Sequence, residues 1–164
     1  MTFIDPAFAR SIASGLATGP GPFFDALNTA LLTLPGVRTV TWLATAPDRS
    51  VTHRIGTSDA TNFPIGGFDP IDDSAWNRRI FGEQRPVVGD NPAQMADFIP
   101  ETDQLIAMGY GATLCWPIVI AGEVAGVVCL LGDAGILTPS TLAEVDTLLP
   151  IAALVFAFPG TSAR

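Results

Sequence analysis

Apolar residues recur along this chain with two different spacings, and the switches between them mark out the elements. Phe8, Ile12 and Leu16 fall four residues apart, which predicts a short amphipathic helix over 5–16, closed by Gly19-Pro20-Gly21-Pro22. A second helix over 22–34 places Phe23, Phe24, Leu27, Ala30, Leu31 and Leu34 on one side, and Pro35-Gly36 stops it. The spacing then drops to two. Residues 38–46 and 50–57, rich in Thr and Val, predict two strands joined at Pro47-Asp48-Arg49, which suits a type I turn. From Ser58 to Asp73 the pattern dissolves into Gly, Pro and Asp, and an irregular segment of that length marks a lid or a binding loop.

A short helix over 74–82 leads into a brief strand at Pro86-Val87-Val88. Gln94 to Met108 is helical in part, interrupted by Pro100 and ended by Gly109 and Gly111. Residues 112–120 and 123–131 alternate most clearly, as a hairpin turning at Ala121-Gly122. The last helix, over 140–156, opens with Pro139-Ser140-Thr141 and has Glu144 three residues on, an N-terminal capping pattern. The order predicts an α/β-type (α+β) domain. Its central antiparallel sheet carries the terminal helices on one face, and the middle helices and long loop cover a pocket on the other. No repeat or linker divides residues 1–164, so one domain is expected, with its core over about 22–157 and an N-terminal helical extension.

Composition sharpens this picture. Apolar residues make up 48% and charged ones only 15%, against about 25% charged on average. So much apolar material needs cover on both sheet faces or a shared subunit surface. The last helix carries Leu148, Leu149, Ile151, Leu154, Val155 and Phe156 with no polar side, which predicts a homodimer through the terminal helices. The net charge is −8, and all eight basic residues are Arg. A chain without a basic face cannot displace the counterions of a nucleic acid, so none is expected as partner. The apolar stretch 148–158 is shorter than the ~20 residues of a membrane span, and the N-terminus lacks a signal-peptide pattern. A cytoplasmic protein with no membrane partner is expected. Cys115 and Cys129 match neither a zinc-ligand spacing nor a disulfide framework, and no metal or cofactor is expected.

The run Gly111-Ala-Thr-Leu-Cys-Trp-Pro-Ile-Val-Ile-Ala-Gly-Glu-Val-Ala-Gly-Val-Val-Cys-Leu-Leu-Gly132 resembles the signature hairpin of GAF domains. Their strand with an aliphatic-Pro-aliphatic triplet turns at a glycine and returns through Gly-aliphatic-aliphatic, here Gly126-Val127-Val128. Upstream, Ala75 to Asp90 is similar to the family's helix followed by a Gly-x-Pro-Val-Val-x-Asp element. The resemblance spans about residues 22–157 and implies a sensor or regulatory domain that binds a small molecule, or a dimerisation module. It also carries departures. Cyclic-nucleotide members have an Asn-Lys…Phe…Asp-Glu signature, and this chain has no Lys. Bilin-binding members commonly follow their attachment Cys with His, and neither Cys here is so followed. Free methionine-R-sulfoxide reductases place several cysteines in loops and helices where this chain has none.

Strand alternation sorts the candidate residues. With a two-residue turn at Ala121-Gly122, Cys115 falls opposite Val128 and Leu114 opposite Cys129. The cysteines are then expected on opposite faces, with no disulfide between them and cysteine chemistry dispensable. Leu114, Trp116, Ile118, Val127, Cys129 and Leu131 share the bulky face; Thr113, Cys115, Pro117, Gly126 and Val128 share the smaller one. In the first hairpin Val40, Trp42, Ala44, His53 and Ile55 lie on one side, and Thr39, Thr41, Leu43, Thr45, Thr52 and Arg54 on the other. The bulky sides are expected on the terminal helices and the small polar sides along a cavity with room beside Gly126. Six residues are then candidate ligand contacts. Arg54 supplies a counter-charge for an acid, the Thr41 and Thr113 hydroxyls and Cys115 line the wall, and Trp76 and Tyr110 stack on the ligand. His53 has no Ser or Cys partner by spacing, and no catalytic set assembles. The reading that results is a non-enzymatic domain for a small acidic or polar metabolite. A reductase using Cys115, a lyase or isomerase using His53, and a ligand-free dimerisation module stay open.

Overall fold

The run Gly19-Pro20-Gly21-Pro22 starts a helix as well as stopping one. In the computed structural model, which describes residues 5–159 and 161, α1 (Pro6–Thr18) is capped by Asp5, whose carboxylate accepts from the Phe8 N–H at 2.7 Å. Then α2 (Pro20–Leu31) begins at once, with Pro20, Gly21 and Pro22 in its first turn. Prolines are tolerated there because first-turn N–H groups have no partner inside the helix.

Six strands follow: β1 (Val37–Thr45), β2 (Val51–Thr57), β3 (Gly66–Pro70), β4 (Val87–Gly89), β5 (Ala112–Ile120) and β6 (Glu123–Gly132). They form one sheet in the order β3-β2-β1-β6-β5-β4, antiparallel throughout. The segment expected to be wholly irregular thus contributes an edge strand. Gly66 and Gly67, at φ 97° and 75°, let the chain turn back along β2, with Thr52 opposite Asp69 and Arg54 opposite Gly66.

One face of the sheet carries α2 and α6 (Pro139–Ala152), with α1 packed on α2. Phe23, Phe24, Leu27 and Leu31 from α2 and Val145, Leu148 and Ala152 from α6 bury against Val40, Trp42, Leu114, Val128 and Leu130. Inside this layer the Trp42 indole N–H donates to Asn28 Oδ1 at 2.8 Å, which satisfies both buried polar groups. The cap of α6 is Thr138, whose hydroxyl accepts from the Thr141 N–H, rather than a residue of the Pro139-Ser140-Thr141 run. Pro150 lacks an N–H for the helical ladder, and the helix tightens into a 3-10 turn over Ala153–Ala157. Counted from Pro139 to Ala157, the element has 19 residues with a mean hydropathy of 1.5, long and apolar enough to cross a membrane by composition. The expectation drawn from residues 148–158 alone understated it. In this fold Val145, Leu148, Ala152 and Val155 pack into the core.

The opposite face is covered by α3 (Ala75–Asn77), the π-helical turn Arg78–Gly82 that continues it and the segment around Phe98, with α4 (Pro92–Ala96) packed on β4 and β5 and α5 (Thr102–Ala107) on α4. Ile80, Trp76, Phe81 and Phe98 pack there on Leu43, Val87, Cys115 and Val127. Asp90 ties this layer down: its carboxylate accepts from the Leu137 N–H at 2.8 Å and its carbonyl from the Gly135 N–H at 3.0 Å.

Two irregularities decide which side chains face which layer. Between β1 and β2 the register shifts at Trp42/Leu43, so Gly56 opposes Trp42 and Arg54 opposes Leu43. Between β5 and β6 it shifts at Ile118/Val119: Val119 pairs with Val124 but Ile118 with Gly126, leaving Ala125 as the extra residue. That one residue reverses the expected faces of β6. Gly126 and Val128 turn to the helices, while Val127, Cys129 and Leu131 turn to the other side, beside Cys115 and Thr113. The expected room beside Gly126 does not exist. A Cβ there would press into the Leu43 carbonyl and the Phe156 ring.

Candidate ligand site

On the sheet face away from the terminal helices the bulges align one continuous row. Thr57, Thr41, Cys129, Cys115 and Val87 stand opposite one another in turn across β2, β1, β6, β5 and β4. Five of the six candidate residues lie in or beside it. Thr41, Thr113 and Cys115 are buried, at 6%, 1% and 4% exposure. Arg54 and Trp76 are half-buried at its two ends.

Arg54 donates from Nη1 to the Pro64 carbonyl at 3.1 Å, and its guanidinium lies 5.7 Å from the Phe63 ring centre. Its Nε is buried with no hydrogen-bond partner among the described residues. Its charge favours the ionised form of Cys129, and the Thr41 hydroxyl acts in the same direction. At the other end the Trp76 indole and the Thr113 hydroxyl approach the Cys115 sulfur, the latter at 3.8 Å. Each cysteine acts most strongly on the other. Hydrogen bonding from Cys129 holds the Cys115 thiol below its ordinary range, although burial opposes this. The same contact, with burial and the charge of Cys115, pushes Cys129 well above it.

Tyr110 stands apart, beyond the end of this row. Its hydroxyl shares a 2.6 Å hydrogen bond with Thr39, the Arg38 guanidinium lies 4.9 Å from its ring centre, and Phe63 lies 6.1 Å away. It lines an open cavity of about 510 Å³ together with Arg38, Thr39, Ser58, Asp59, Asn62 and Met108. This cavity sits between the segment that follows β2, which the sequence marks as a lid or binding loop, and the partly helical segment that precedes β5. Sequence reasoning singled out the segments but missed Arg38, Ser58, Asp59 and Asn62. The long loop pointed to Ser58, Asp59 and Asn62; nothing in the sequence pointed to Arg38, which lies on β1.

The polar groups of the cavity are partly committed. Asp59 accepts from the Asn62 side chain at 2.7 Å and from the backbone N–H groups of Asn62 and Thr61. The Asn62 side chain, then its backbone N–H, holds the carboxyl below the ordinary carboxylate range. Ser58 Oγ accepts from the Val40 N–H at 2.9 Å, which leaves its own proton to donate. Arg38 donates to the Gly109 carbonyl at 2.7 Å and lies 3.6 Å from Asp133, with its side chain still 44% exposed. Arg38 is the one cation among the residues that line this cavity.

His53 lies opposite Ala44, on the helix-side face, and stacks on Phe68 with ring centres 5.8 Å apart. It is therefore separated by the sheet from both cysteines. Among the described residues no cluster of three His, Cys, Asp or Glu groups offers a metal site. A second cavity, of about 500 Å³, lies between α1 and α2 on the outer side of the helical layer and includes none of the six candidates.

No protein-family model matches the chain, and no curated protein matches it in sequence. Solved structures do match in shape. The GAF domain of an Acinetobacter phosphoenolpyruvate-protein phosphotransferase superimposes with a TM-score of 0.69 at 11% identity, over 96% of this chain and 96% of that one. The GAF domain of the corresponding Coxiella burnetii protein gives 0.68 at 15% identity, over 92% of each chain. The GAF domain of a two-component sensor histidine kinase from Bacillus halodurans gives 0.64 at 15% identity, over 82% of this chain and 89% of that one. The chain has the fold of a GAF domain.

Proposed function

We propose that this chain is a sensor or regulatory domain that holds a small polar, anionic metabolite between the 58–62 and 108–110 segments. The supporting observation is the cavity beside Tyr110, where a half-exposed guanidinium, an aromatic ring and a free hydroxyl proton converge. The lining is mainly polar, which suits a small polar occupant held by a few such groups rather than an apolar one. Asp59 stays ionised, but its oxygens are engaged by Asn62 and the Thr61 N–H. Arg38, which reaches Asp133 only at 3.6 Å and is half-exposed, is the one cation of the lining and the group that favours an anion. Thr41 and Thr113 are buried on the same sheet face as Thr39 of this lining, Cys115 and Trp76 lie further along it, and Arg54 reaches the cavity through Phe63, which packs against Tyr110. Structures of like shape come from a sensor kinase and phosphotransferases, which favours a regulatory role over a catalytic one. The domain works as a homodimer through its terminal helices, where Leu16, Leu32 and Leu154 stand 37–41% exposed.

The test is native mass spectrometry of the protein as isolated, followed by thermal-shift screening against small carboxylates and phosphates. Wild type should retain or be stabilised by an anion, and Arg38→Met should lose that stabilisation while the empty protein melts nearly unchanged. Equal stabilisation of wild type and Arg38→Met would place the anion elsewhere.

A further inference from the structure

We propose that Cys115 and Cys129 close into a reversible cross-strand disulfide, so that this sheet face is an oxidant-responsive modification site. The inference is independent of the ligand reading. It rests on the register, which sets the two residues directly opposite each other on neighbouring strands and on the same face. Directly opposed residues in an antiparallel pair have Cα atoms about 4.5 or 5.5 Å apart. Disulfides span about 4.4–6.8 Å between Cα atoms, so the Cα spacing of such a pair admits the bond. These are the only two cysteines of the chain, which fixes the partner of each.

The surroundings suit the chemistry. Thiolate is the reacting form of cysteine, and the Cys129 thiol, the Trp76 indole and the Thr113 hydroxyl all favour it at Cys115. Cys129 sits on a central strand yet is partly exposed, so the covering layer leaves a way in for a small oxidant. Cys115 is buried, which keeps it from pairing with a second chain. The oxidant is a hydroperoxide. The Cys115 thiolate attacks its terminal oxygen, the O–O bond breaks, and the remaining oxygen leaves as alkoxide or hydroxide. Cys115 is then a sulfenic acid. The Cys129 sulfur attacks the sulfenic sulfur, its proton departs with the hydroxyl as water, and the S–S bond forms. Two electrons pass from the thiol pair to the peroxide. A small dithiol reverses the step by thiol–disulfide exchange through a mixed disulfide.

The experiment uses the whole chain, reduced, desalted and treated with a modest excess of hydrogen peroxide. It is then unfolded in acid, labelled with a maleimide and weighed intact. The expected product has lost both thiols together, is two hydrogens lighter, runs as an uncrosslinked chain on a non-reducing gel and returns to the dithiol with dithiothreitol. Cys115→Ala and Cys129→Ala should each abolish the dehydrogenated product and leave a thiol that gains oxygen or does not react. Independent loss of the two thiols with oxygen added, or crosslinking between chains, would overturn the proposal. So would thiols that persist in the folded protein while the same oxidant closes them in the urea-unfolded chain.

Discussion

Cys115 stands directly opposite Cys129 because one residue, Ala125, is unpaired in the strand that returns from the turn. Without it the two sulfurs would lie on opposite faces of the sheet. With it the two thiols face each other closely enough to act on one another, which separates their titrations, Cys115 downward and Cys129 upward. Since the contact with Cys129 is the largest cause of the lowered value at Cys115, Cys129→Ala should move the first thiolate step to higher pH. The ultraviolet absorbance of thiolate against pH reads this directly. A first step at the same pH in both proteins would mean that the contact is not made.

The bond between Trp42 and Asn28 joins the sheet to α2 in the core. Asn28→Ala leaves the indole N–H buried without an acceptor, a penalty of about 1–3 kcal/mol. Urea unfolding should show a lower midpoint at unchanged slope. An unchanged midpoint would mean that water reaches the indole.

Gly126 is packed between the Leu43 carbonyl and Phe156. Gly126→Ala should therefore destabilise the fold, by about 1–3 kcal/mol as expected for overpacking. Had this position lined a cavity, the added methyl would be tolerated, so thermal melting of this single variant separates the two placements.

At the tip of the same hairpin Ala121 and Gly122 have φ of 52° and 83°, a type I′ pair. Alanine is strained there, while asparagine tolerates the left-handed region. Ala121→Asn should raise stability by about 0.5–1 kcal/mol, measured by the same denaturant unfolding. A loss of stability would show that the turn is of another type.

The exposed leucines of the terminal helices predict self-association. Sedimentation equilibrium at micromolar concentration should give twice the 17.1 kDa chain mass, and the pair Leu32→Glu with Leu154→Glu should give the single chain. Wild type sedimenting as the 17.1 kDa species would exclude the dimer.

By itself the sequence determined the elements and the fold class, because helix and strand spacings are local and their turn residues are explicit. The Phe23 to Leu34 stripe, the Thr-rich first hairpin and the Ala121-Gly122 turn could each be read within a few positions. The outer side of the first hairpin was legible for the same reason: Thr41, Leu43 and Arg54 do share a face. Two matters were decided only by the tertiary structure. The β6 faces depended on a one-residue bulge, which leaves no mark in composition and is set by how β6 must fit between β1 and β5. The edge strand β3 depended on pairing with β2, since Gly66-Gly67 alone reads as loop. The cavity residues Arg38, Ser58 and Asn62 are 24 residues apart at their extremes in sequence and meet Met108 and Tyr110 only when β1 and β5 are brought into one sheet. Local patterns fix what a segment becomes; which residues meet across the sheet follows from non-local pairing, which a single chain of letters does not display.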